Sequence, residues 1–201
     1  YASAEGKAGH ALFDALHTII SGQTVIPYSS GTKADTSDAL AVLDEDPNNS
    51  ANVLTVYAQE SEPKSTFGQT TSWNREHRWC NAYGIDSQGP SYSDLFNLHA
   101  EDSNVNSSRG DKFYDDSNLS NPNYHNPAHI EAPLCSTDSD SWEPPSSSKG
   151  TIARSLFYMA TRYTGDAVNE PALCLTDNTA LIASTNSYMG KLSTLLAWHR
   201  A

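Results

Sequence analysis

Leu12, Phe13, Leu16, Ile19 and Ile20 recur at helical spacing, which predicts an amphipathic helix over residues 7–21. Residues 23–35 carry turn chemistry in Pro27, Ser29, Ser30 and Gly31 and read as a loop. A short helix over 36–43 follows, with Asp35, Thr36 or Ser37 as its cap. Val53, Leu54, Val56 and Tyr57 predict a strand, 60–70 a loop and 73–79 an extended segment. Residues 94–98 read as a second short extended segment, and 103–109 as a short helix capped by Asp102 or Ser103. The stretch 115–145 is polar and aperiodic. Ile152, Leu156, Met159, Ala160 and Tyr163 then mark a strong helix over 150–163, and Leu192, Leu195 and Leu196 another near the end. Together these elements predict an α+β fold. A small hairpin and short helix sit within a mainly helical, loop-rich single domain spanning 1–201.

Charge complicates any functional reading. Twelve Lys and Arg against 24 Asp and Glu give a net charge of −12, which argues against a polyanion as partner. The imbalance is uneven, however. Residues 113–148 contain no Lys or Arg, whereas Arg75, Arg78, Arg109 and Lys112 flank one short region. The sequence Asp44-Glu45-Asp46-Pro47-Asn48-Asn49 is rich in oxygen donors. Pro47 interrupts it and no Gly supplies the sharp turn of a calcium loop, so a solvated turn is expected. Cys80, Cys135 and Cys174 are odd in number. A Cys135–Cys174 bridge and three buried thiols are both compatible with the sequence. No run of about 18 apolar residues offers a membrane span. The first residue, Tyr1, fits either a processed exported precursor or a trimmed chain.

Three clusters carry candidate chemistry: Asn74-Arg75-Glu76-His77, Asp94-Leu95-Phe96-Asn97-Leu98, and Asn104-Val105-Asn106-Ser107-Ser108-Arg109-Gly110. Phosphodiester hydrolysis needs a base for the attacking water, and neutral His77 suits that task near pH 7. It also needs positive charge near the phosphate. Glu76 with Asn106 could hold a hard cation, and Arg109 could bracket the phosphate. Neighbours on a strand face opposite ways, so Glu76 and His77 can share a site only where the strand ends or bulges. His77 is therefore expected at a strand end. A carboxylate and an amide form a thin ligand set that leaves several waters on the metal, as Mg2+ prefers.

These clusters, in this order, resemble the bacterial endonuclease I family of secreted or periplasmic nucleases. The resemblance extends to Gly150-Thr-Ile-Ala-Arg154 through Tyr163 and to Leu195-Leu-Ala-Trp198-His199. It implies a ββα-metal finger at about 73–112, His77 as general base, and Glu76 and Asn106 as ligands of Mg2+, with Ca2+ or Mn2+ as alternatives. It further implies a nucleic-acid substrate (DNA, with RNA a second candidate), little sequence specificity and 5′-phosphate products. A monomer is expected. The chain departs from the family at Cys80 and at His99-Ala100, where the family often carries Pro. Arg109 rests on spacing, because the family's phosphate-contacting Arg does not align with it securely.

Other classes fit less well. A zinc metallopeptidase would need His-Glu-x-x-His, which is absent. A non-catalytic nucleic-acid-binding module would need a basic surface. A secreted acidic adhesion or binding domain suits the composition but leaves Glu76, His77 and Asn106 unexplained.

Overall fold

Apolar spacing sets the first helix and a local cap the second. In the computed structural model, which describes residues 1–85, 87 and 89–201, α1 spans Gly9–Ile20 and α2 spans Thr36–Leu43. Asp35 caps α2: its carboxylate accepts from Ser37 N while Asp38 accepts from Asp35 N. Two short strands, β1 (Glu45–Asp46) and β2 (Asn49–Leu54), turn back through Pro47 and Asn48, and β3 (Ser61–Pro63) completes an antiparallel sheet. The turn is present as expected, but Asp44 and Asp46 are buried rather than solvated. Asp46 folds the turn by accepting from Asn48 N.

The strands β4 (Trp73–His77) and β5 (Leu98–Asp102) pair antiparallel, from Trp73 opposite Asp102 to His77 opposite Leu98. Helix α3 (Ser103–Arg109) follows at once. Asp102 caps it through Asn104 N and Val105 N, and Gly110 ends it at φ +57, a conformation that favours glycine. The second strand therefore begins where 94–98 was expected to end. Asp94 bends its own neighbours into a turn, accepting from Phe96 N through its side chain and from Asn97 N through its carbonyl. Asn97 then clasps Trp79 through both its main-chain groups.

Val56 and Tyr57 lie beyond β2 instead of within it. They cross to the edge of β5, where Val56 N meets Ala100 O and Glu101 takes the amides of Tyr57 and Ala58. The polar stretch after α3 carries three small strands, β6 (Phe113–Tyr114), β7 (Ser136–Thr137) and β8 (Ser141–Glu143), in one sheet. Helix α4 (Ser146–Arg162) starts a turn earlier than expected, directly after Pro145. β9 (Cys174–Leu175) and β10 (Tyr188–Met189) pair parallel, and α5 (Leu192–Arg200) packs on α4.

The β4–β5 pair divides two apolar clusters. Trp73, Leu98 and Ala100 join Leu40 and Val53 in the smaller. The larger gathers Tyr57, Trp79, Tyr114, Trp142, Leu156, Met159 and Leu195. About 33% of the chain is helical and 19% is strand, so the α+β expectation holds while a mainly helical character does not. The polar segments fold into many short ladders that periodicity does not mark. All three cysteines are free: Cys80 and Cys135 are buried and Cys174 is exposed, so no bridge joins Cys135 to Cys174. No helix among the described residues is long and apolar enough to cross a membrane.

Candidate active site

A cleft of about 360 Å³ opens at the end of β4, lined by Tyr28, Asn74, Arg75, Glu76, His77, Tyr92, Asn106 and Arg109, among others. His77 is the last residue of its strand, which lets it and Glu76 reach one cleft despite the alternation of strand side chains.

The hydrogen bonding of His77 fixes its tautomer. Nε2 lies 2.9 Å from the carbonyl oxygen of Tyr92. A carbonyl can only accept, so Nε2 carries the proton and Nδ1 keeps its lone pair. Nδ1 has no hydrogen-bond partner among the described residues. Burial pushes the imidazole pKa down to about 4, with Arg75 and Arg109 adding to the effect and the Tyr92 carbonyl opposing it. The ring is therefore neutral at pH 7. It packs against Tyr28, nearly parallel at 5.6 Å, and Tyr92 at 4.7 Å, and those two rings are themselves 4.4 Å apart.

Glu76 is 3% exposed, and its two oxygens differ. Oε1 accepts from the Tyr57 hydroxyl at 2.6 Å and from Arg109 Nη1 at 2.5 Å. Oε2 has no hydrogen-bond partner among the described residues. Burial raises the pKa of the carboxyl group, against the pull of Arg109. Asn106 is oriented as firmly. Its Nδ2 donates to Asn74 Oδ1 at 2.7 Å and to the Arg75 carbonyl at 3.3 Å, so its Oδ1 is left as a spare acceptor.

Arg109 is placed differently from the phosphate contact that spacing suggested. It is 1% exposed, and four of its five N–H groups are spent on protein: Nε on Lys112 O, Nη1 on Glu76 and His77 O, and Nη2 on Arg78 O. Arg78 is buried as well, against Phe96 O and Asn97 O, and Lys112 donates to Thr137 Oγ1. Arg75 is the cation that remains part-exposed in the cleft wall. It bonds Tyr28 O, Thr36 Oγ1 and Ser29 Oγ, and lies over the Tyr28 ring at 3.6 Å. His99 does not line this cleft; it pairs with Asp44 at 2.5 Å.

Among the described residues no group of three or more His, Cys, Asp and Glu side chains could hold a metal ion. That excludes the donor set of a structural zinc site there. Glu76 Oε2 and Asn106 Oδ1 are hard, uncommitted oxygens, and Asn106 is bonded to the residue preceding Glu76. Such a donor pair suits a cation that retains most of its water.

Tyr28, Tyr57, Tyr92 and Tyr114 are the site residues that sequence reasoning missed. Tyr28 and Tyr57 lie far from the three clusters, and Tyr57 carried only the signal of a strand; Tyr92 and Tyr114 stand just outside the second and third clusters, where no local pattern marks them.

The Endonuclease I family matches residues 8–201, and the chain belongs to that family. It is 42% identical over 203 aligned residues to an extracellular ribonuclease of Bacillus amyloliquefaciens and 40% identical to an extracellular ribonuclease of Bacillus subtilis strain 168. Each alignment covers the whole chain but only 64% and 65% of those proteins, respectively. No solved structure matches the chain.

Proposed function

We propose that the chain is a cation-assisted endonuclease that hydrolyses phosphodiester bonds in RNA and DNA with little sequence specificity. One observation carries this reading. His77 is locked as a neutral imidazole whose free Nδ1 shares a cleft with two uncommitted oxygens, Glu76 Oε2 and Asn106 Oδ1. Nδ1 takes a proton from the attacking water. As the new P–O bond forms, the bond from phosphorus to the 3′ oxygen breaks. That oxygen recovers a proton from solvent, leaving a 5′-phosphate and a 3′-hydroxyl. A divalent cation, Mg2+ or in its place Ca2+ or Mn2+, would be held by Glu76 and Asn106 and would supply positive charge to the scissile phosphate and the departing oxygen. Arg109 acts by holding Glu76, with Arg75 the cleft's contact to a neighbouring phosphate.

RNA is included because the named relatives are ribonucleases, and their extracellular description supports export of this chain too. The test uses end-labelled RNA and supercoiled plasmid, with and without chelator. Cleavage that stops on chelation and yields 5′-phosphates is the expected result. Products ending in 2′,3′-cyclic phosphate, or full activity in chelator, would overturn it.

A further inference from the structure

We propose that Tyr57 is a positioning residue that keeps one oxygen of Glu76 available to a divalent cation. The proposal rests on the reading of Glu76 as a cation ligand. A buried guanidinium facing a carboxylate ordinarily takes both oxygens in a two-pronged pair. Here the pair is one-pronged. Arg109 Nη1 divides its donors between Glu76 Oε1 and His77 O, and Nη2 donates to Arg78 O. The Tyr57 hydroxyl meets the same Oε1 at 2.6 Å. Both donors thus hold one oxygen, and Oε2 is left toward the cleft.

The direction of these bonds follows from their chemistry. A carboxylate only accepts, so the Tyr57 hydroxyl donates to Glu76. Its oxygen is then the acceptor for the Tyr114 hydroxyl, 2.5 Å away. An ordinary phenol keeps its proton at neutral pH, so both hydroxyls are donors. Tyr57 itself has little freedom. It is fully buried, its backbone amide is held by Glu101, and its ring stands edge-on to Trp142. Without the hydroxyl, Oε1 loses one of its two anchors. The carboxylate can then turn to pair both oxygens with Arg109.

Calorimetric titration of Mn2+ into the folded protein tests this, with thermal unfolding measured in parallel. Substituting Tyr57→Phe retains the ring and is expected to weaken Mn2+ binding by about 10- to 100-fold, the usual cost of losing a group that orients a ligand. Cleavage should recover toward the wild-type rate at saturating Mn2+. Glu76→Ala serves as the reference. If it leaves Mn2+ binding intact, the ligand assignment itself fails. If it abolishes binding while Tyr57→Phe binds as wild type, the positioning role alone is overturned. Should Tyr57→Phe not fold, Tyr114→Phe removes the next donor in the same chain. A several-fold weaker Mn2+ affinity supports the proposal, and an unchanged one overturns it.

Discussion

The cleft at the end of β4 and the corner around His99 are built from adjacent strands, yet they hold their histidines in opposite ways. His77 donates a hydrogen bond to a carbonyl, whereas His99 faces the carboxylate of Asp44. A carbonyl fixes a tautomer, and at His77 its pull toward the charged ring is outweighed by burial. A carboxylate favours the imidazolium and opposes the effect of burial, as it does at His99. Asp44 is itself buried and also takes the Ala100 amide. The first arrangement leaves a neutral imidazole with a free nitrogen, and the second sets His99 of β5 against Asp44, the residue that follows α2.

The largest expected effect breaks this comparison most directly. Substituting His77→Ala should lower kcat by about a hundred- to ten-thousand-fold, the usual contribution of a placed general base. His99→Ala should leave kcat within a few fold while lowering the unfolding temperature. Single-turnover cleavage and thermal unfolding of both variants check this. An equal collapse of kcat in the two would make His99 part of the chemistry.

Stability against pH sharpens the same contrast. The folded pKa of His77, about 4, lies below the usual histidine value. Below about pH 6.5 the unfolded chain therefore takes up a proton before the folded one does, and stability falls until about pH 4. The shift corresponds to about 3 kcal/mol lost across that window. His77→Gln should lack this component, so wild type and variant should converge as pH falls. At His99 the shift has the same direction, and Asp44 opposes it. His99→Gln should therefore remove a smaller slope in the same window. Denaturant unfolding at several pH values measures both, and a His77→Gln curve parallel to wild type would refute the burial argument.

The histidines also show how much the sequence reveals. That His77 ends a strand follows from its adjacency to Glu76, because both must reach one cleft. Helices α1, α2, α3 and α5 are legible in periodicity and caps. Strand β5 is not, because His99 and Glu101 are polar residues covered by the fold. Glu101 is fully buried, satisfied by amides from a segment some 40 residues earlier, and nothing local marks that. Arg109 illustrates the complementary failure. Spacing placed it near the site but could not show that Glu76 and three carbonyls would consume its donors. Its loss should act on stability. Removing one partner of a buried ion pair costs about 3–5 kcal/mol. Denaturant unfolding of Arg109→Ala should show that loss, and an unaltered midpoint would return Arg109 to the substrate.

The smallest expected effect concerns charge, where the two corners differ again. Arg75 stands in the wall of the His77 cleft, while Asp44 and Glu45 line the groove beside His99. In the sequence Arg75, Arg78, Arg109 and Lys112 are the cations nearest the site. Arg78 and Arg109 are buried against carbonyls, and Lys112 is engaged with Thr137. Of these four, Arg75 alone is a part-exposed residue of the cleft lining, so the logarithm of substrate affinity should fall against the logarithm of salt with a slope of about −1. Arg75→Gln should flatten that slope and raise KM several-fold at low salt only. Arg75 also lies over Tyr28 and bonds its carbonyl, so the glutamine removes a contact from the ring cluster around His77. Arg75→Lys separates the two roles: it keeps the charge, and hence the slope, while giving up the planar contact with the ring. A wild-type slope near −3 would mean that several further cations reach the substrate. The acidic surface would then open on binding far more than the burial of Arg78 and Arg109 allows.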